Sequence, residues 1–494
     1  MLQKLKEPID LTVGNPIHKI VLFMIPMLFG NLAQQLYSTV DSIIVGKFSG
    51  DNALAAVGSS GAILNLFVVV LMGISVGASI MVSQYVGSKD KKNLGAAIEC
   101  CIVLTALTCV IMMVTAPLAV KPLLSLLGTP ESIIEQAYDY LLITFVGGWG
   151  LAYFYILMGV LRGLGDAISP LFYLCISTVI NIILDIVFVA YFKWDTAGVA
   201  LATVIAQSIS ALLCLRKLFK MQDLFTISFK KPKMQLSHMK TIFRLGLPSG
   251  LNQLILSSAL IMVQSLTNSY GELFIAANVI VMRIDGFAMM PNFSFGTAMS
   301  TFAGQNIGAR QYDRVEKGAR DGTIFAVATA TVITSILLLF GRNLMSIFTD
   351  TPELVDLSMQ MLQILAVGYM AMAVTQCLFG VMRGSGDTLT PMWISIFISV
   401  VVRVPVAYTL AYLTRTPELP NGRCESVFIS LLASWILGAV ITTIFYKKGN
   451  WKTKALERLE ENTETTNNDI TNNDEATDIA NNDITSTNEA AEKF

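Results

Sequence analysis

The sequence predicts an all-α polytopic membrane protein: twelve transmembrane helices in two six-helix bundles, related by a pseudo-two-fold axis along the membrane normal. Three observations predict it. Of 494 residues, 54% are hydrophobic and only 14% charged, with a mean hydropathy of +0.62, whereas soluble domains carry about 25% charged residues. Apolar runs of roughly 20 residues, the length that crosses a bilayer core, recur from Ile17 to Tyr446. The chain also repeats itself.

By that length criterion the spans are 17–45, 53–84, 95–120, 132–158, 167–192 and 197–219, then 240–268, 275–303, 318–345, 354–381, 390–413 and 425–446. "VLRGLGDAISP" (160–170) returns as "VMRGSGDTLTP" (381–391), and "SQYVGSKDKKN" (83–93) as "GQNIGARQYDR" (304–314), both at an offset of 221. "GTPES" (128–132) returns as "DTPEL" at an offset of 222. Three matches at offsets of 221–222 are a duplication. An even number of spans per half makes both halves enter from the same side, and transporter sites form between such halves.

The domains expected are an N-lobe at 1–216, a basic Pro-interrupted linker at 217–239, a C-lobe at 240–450 and a tail at 451–494. The tail is acidic, rich in Asn and Thr, and too polar to order itself.

The net charge of −1 suggests no affinity for nucleic acid. With the N-terminus inside, the inner segments hold 26 of the 34 Lys and Arg, which places both termini in the cytoplasm. A multi-pass protein of the cell (plasma or inner) membrane is expected, and the long first span lacks the small-residue cleavage site of a signal peptide. Seven scattered Cys form no CxxC pair and read as small apolar residues. The two His, His18 and His238, lie at cytoplasmic edges, which speaks against a His-based metal or nucleophile site.

Ionisable groups inside spans default to functional candidates. Here they are Asp41, Asp185, Asp285, Arg283 and Arg403; Glu99 and Asp139 lie near helix ends, within reach of headgroups. At 1.5 Å per residue, Asp41 in span 1, Asp185 in span 5 and Thr203 in span 6 share one depth, and Asn181 lies one turn below Asp185. Two carboxylates in a low-dielectric pocket cannot both stay charged without a partner. A proton relieves the repulsion, and so does a hard cation seeking carboxylate, amide and hydroxyl oxygens. The bland reading is a polar lock for the bundle. Pro26 is either a static kink or a hinge in span 1, and Gly73 and Gly77 stand at helix-packing spacing. Arg403 reads more readily as helix packing than as a ligand group. The Met- and Phe-rich stretch 286–299 would make an adaptable wall for apolar ligands if it faces the gap between halves.

These residues resemble the multidrug and toxic compound extrusion (MATE) family over about 15–450: "P…Q…VDSIIVG" in span 1, RGxGD followed by Pro in both halves, and "N…D" in span 5. The resemblance implies an antiporter, not an enzyme, that exports drugs and other amphipathic organic compounds, driven by H⁺ or Na⁺. It implies the DinF-like branch, with Asp41, Asn181, Asp185 and Thr203 as the N-lobe cation site. The NorM-like C-lobe site uses acids in spans 7 and 10, where this chain offers only Gln253, Gln264 and Gln376. Substrate contacts are expected from Gln34, Tyr37, Arg283, Met289 and Met290, with Pro26 as hinge. No cofactor is expected beyond the coupling ion, and no metal other than Na⁺. The expected partners are small organic molecules and the bilayer, and the protein is expected to be a monomer. The alternative is a flippase for lipid-linked precursors, which would need a cationic central cavity.

Overall fold

The computed structural model describes residues 8–225, 236–449 and 451–455. Among the described residues eleven helices are long and apolar enough to span a membrane, and a pair bent by 53°, counted as one span, makes twelve. In chain order they are α1 (Pro16–Phe48), α2 (Asp51–Ser88), α3 (Lys91–Leu126), the bent α4 (Glu131–Val146 and Trp149–Gly163), α5 (Ile168–Asp185, running on as the wider π turns Ile186–Tyr191) and α6 (Asp195–Lys220). Then follow α7 (Leu236–Asn268), α8 (Glu272–Gly308), α9 (Tyr312–Met345), α10 (Pro352–Gly384), α11 (Leu389–Ile396, π turns Phe397–Val402, then Arg403–Leu413) and α12 (Ser426–Lys447). The bend in α4, absent from the sequence reading, falls at Gly147–Gly148, where Gly147 packs against Val204.

The RGxGD repeat explains itself at this level. Gly165 and Gly386 take φ of +93° and +89°, a left-handed conformation that disfavours any Cβ. The following acids cap the next helix. Asp166 accepts from the Ser169 N–H at 2.9 Å and its hydroxyl at 2.6 Å, and Asp387 accepts from the Thr390 N–H at 3.3 Å and its hydroxyl at 2.7 Å. Lys217 and Lys454 then pair with these carboxylates at 3.4 and 3.1 Å.

The lobes exchange helix halves. The first turns of α1 (Ile20, Phe23, Met24, Met27) belong to a C-lobe core with Phe295, Phe302 and Val381, whereas Val45 further along joins an N-lobe core. Reciprocally, Ile242 and Leu245 of α7 join an N-lobe core, and Val263 and Leu266 a C-lobe one. Pro26 and Pro248 sit where each helix changes lobes.

Glycines let the lobes touch at one end. A Cβ on Gly87 would lie 1.9 Å from the Gln305 carbonyl oxygen, and one on Gly308 would lie 2.0 Å from that of Gln84. Gly73 and Gly77 pack against the α7 backbone at Gly246 and Ile242, as their spacing suggested. The segment before α1 seals this closed end. Leu11 is fully buried, Ile9 N–H donates to the Gly165 carbonyl at 2.9 Å, and Leu11 N–H donates to Gln305 Oε1 at 3.0 Å. Asn306 and Arg314 donate to the Leu11 carbonyl at 3.1 and 3.2 Å. At the other end, Gln253, Ser258 and Gln264 of α7 and much of 35–43 in α1 are exposed.

Two sequence expectations change. The body does not end at 450: Trp451 and Ala455 are buried in the C-lobe core, because the indole stacks on Tyr446 and donates to its carbonyl at 3.2 Å. The expected linker is shorter at both ends, since 217–220 complete α6 and 236–239 begin α7; its middle, 226–235, and the tail from 456 lie outside the described residues. Glu99 is buried in α3.

Candidate functional site

The N-lobe gathers four of the expected residues where α1, α5 and α6 meet. The carboxyl groups of Asp41 and Asp185 are neighbours, close enough to interact directly. Asp185 is fully buried at the last α-helical position of α5, just before the π turns that widen the helix. Wide turns of this kind are frequent at functional sites. Asn181 lies one turn earlier on the same face and is also buried. Tyr37, one turn before Asp41 on α1, brings its hydroxyl beside that of Thr203 on α6.

The polar atoms here have few partners within the protein. Both oxygens of Asp185, one oxygen of Asp41, the Asn181 amide nitrogen and the hydroxyls of Tyr37 and Thr203 are buried and make no hydrogen bond. Buried polar atoms are almost always paired, so each exception asks for a ligand, a proton or water. Two facing carboxylates, flanked by an amide and two hydroxyls, form an oxygen-rich set that suits a proton or a hard cation. Tyr140 of α4, which sequence reading missed, stands close enough to feel both carboxylates. No motif announced it; only the fold brings α4 to this level.

The expected substrate residues do not gather in the same way. Gln34 lines a cavity with Pro26, Asn31, Met72, Tyr155 and Arg162. Tyr37 is buried in the carboxylate pocket. Met289 is buried in the C-lobe core, where the Asn292 amide touches its sulfur at 3.7 Å, so it is not presented to a cavity. Met290 is half-buried and Arg283 exposed. Asp285 turns away from Arg283 toward Tyr369 and the buried Arg403.

The duplicated lobes agree with comparisons to known proteins. The MatE family model matches residues 26–187 and 248–409, one copy in each lobe. The probable multidrug resistance protein YoeA of Bacillus subtilis is 30% identical over 447 residues, covering 89% of this chain and 95% of the relative. The probable multidrug resistance protein NorM of Thermotoga maritima is 25% identical over 90% of this chain and 95% of its own. A multidrug resistance MATE family transporter of the MOP superfamily, solved in an outward-facing conformation, superposes with a TM-score of 0.83 at 23% identity, covering 91% of this chain and 98% of its own. With a family match in each half and a relative aligned over nearly its whole length, this chain belongs to the MatE family of membrane transporters.

Proposed function

We propose that the protein is a cation-coupled antiporter, in which H⁺ or Na⁺ entering at the Asp41–Asp185 pair drives export of drugs and other amphipathic organic compounds. The observation that carries this reading is the facing Asp41–Asp185 pair, three of whose carboxylate oxygens are buried with no donor in the protein. Binding a cation there removes the repulsion and draws α1 toward α5. Pro26, at the handover of α1 between lobes, is the natural hinge for that movement, since Pro removes a backbone hydrogen bond. The reading places both termini in the cytoplasm, which makes the closed end cytoplasmic and the described state outward-open. The names of the relatives supply the substrate class.

Dye efflux from proteoliposomes tests it, with the Na⁺ and pH gradients imposed one at a time. Export under one gradient and none without either is expected. Equal dye movement with no gradient would overturn the reading.

A further inference from the structure

Arg162 and Arg383 hold the same place in the two copies of the repeat, each in the last turn of its helix. In the sequence both count among the 26 Lys and Arg of the inner segments. The structure turns them inward. Both line one cavity between the lobes, with Ser75 and Ser79 of α2 and Thr297 and Ser300 of α8. Ser79 and Ser300 are again 221 apart, so the cavity straddles the pseudo-two-fold axis. Its volume is about 40 Å³ as room for water-sized occupants, inside about 380 Å³ of empty space that includes open solvent.

The charges in this cavity are unbalanced. Among the described residues neither arginine forms an ion pair; Arg383 Nε donates to the Phe379 carbonyl at 3.3 Å. The nearest acids in sequence, Asp166 and Asp387, are already committed to their helix caps and to Lys217 and Lys454. Two guanidinium groups therefore share a partly desolvated cavity without a carboxylate, an arrangement that is costly until an anion joins it.

We propose that this cavity is a binding site for an oxyanion, a phosphoryl or carboxylate group, gripped by one arginine from each lobe with Ser79 and Ser300 adding hydroxyl donors. The planar guanidinium fork matches both groups bidentately. Because each lobe supplies one fork, the anion ties the closed end together and leaves when the lobes part there. A substrate carrying an anionic group would thus be sensed by the gate itself. This site is separate from the cation pocket, and its test needs no gradient.

The test is thermal-shift titration of the purified protein in uncharged detergent with inorganic phosphate and with octyl phosphate, chloride serving as control at matched ionic strength. A parallel arm compares nanodiscs of phosphatidylglycerol and phosphatidylcholine. Saturable stabilisation is expected in at least one arm. Inorganic phosphate alone would mark a free-anion site, octyl phosphate an amphiphile headgroup, and phosphatidylglycerol a lipid; each supports the proposal. Arg162→Gln and Arg383→Gln should each weaken binding by about tenfold or more, with the double variant little worse than either single, since both hold one anion. Where the double variant does not fold, Ser79→Ala and Ser300→Ala serve in its place with smaller losses. Stabilisation by chloride equal to that by the phosphates, or wild-type affinity in the folded single variants, would overturn the site.

Discussion

Gln84 and Gln305, 221 residues apart, each send a side-chain amide across the lobe interface to the glycine of the other lobe's RG motif. Gln84 Nε2 donates to the Gly384 carbonyl at 3.0 Å, and Gln305 Nε2 donates to that of Gly163 at 3.1 Å. Both side chains are buried. The bonds form a symmetric latch at the closed end. A neutral hydrogen bond contributes about 0.5–1.5 kcal/mol, so Gln84→Ala with Gln305→Ala should weaken closure by roughly 1–3 kcal/mol and shift the two-state balance about 5- to 150-fold. Spin labels at Ser88 and Gln311, exposed at this end, should report a longer distance population in the double variant. An unchanged distribution would remove the latch from the mechanism.

Gly87 and Gly308 test the same closure from the opposite side. Any Cβ there meets a facing carbonyl at 1.9–2.0 Å, which is backbone and cannot swing away. Gly87→Ala or Gly308→Ala should leave each lobe folded and hold the closed end apart. The variants should reach the membrane at normal abundance and carry substrate poorly. Full efflux from either would mean that the lobes never approach this closely during transport.

The spans, the duplication and the acidic pocket were legible because each has a local or periodic signature. Asp41, Asn181, Asp185 and Thr203 could be levelled by counting rise per residue. What the sequence hid depends on helix rotation and on partners far along the chain. Met289 and Met290 look alike in the string, yet one is core and the other half-buried. Arg162 and Arg383 sit beside loops and read as topological charge; only the lobe packing shows that both point to the axis. The exchange of α1 and α7 between lobes was equally invisible, because an apolar face does not say which lobe covers it.

Trp451 sets where the chain can be cut. It is 2% exposed, part of the C-lobe core, and followed by Lys452 and Lys454, which pair with Glu316 and Asp387. Ending the chain after Ala455 should leave transport and thermal stability unchanged. Ending it after Gly449 removes the buried indole, a loss on the scale of a Trp→Ala change, about 3–5 kcal/mol. Melting curves of the two truncations in detergent should separate clearly. Coincident curves would show that 451–455 contribute nothing to the body.

Asp41 offers the most direct test of the cation pocket. It faces Asp185 from a helix that changes lobes at Pro26, so its charge state is connected to an element common to both lobes. Asp41→Asn keeps the shape and one oxygen while removing the charge that attracts the driving ion. The neutral amide is cheaper to bury than a carboxylate, so expression and folding should survive. Ligand binding should persist, because Gln34 and its cavity lie elsewhere along α1. Gradient-driven efflux should be lost, since a coupling free energy of about 1–3 kcal/mol, or roughly 5- to 150-fold, has no ion to carry it. Asp185→Asn should behave alike, as the other half of the pair. Asp285→Asn is the control: it sits in the C-lobe beside Tyr369 and Arg403, away from the pocket, and should be milder. Wild-type efflux by Asp41→Asn under either gradient would place the coupling site elsewhere.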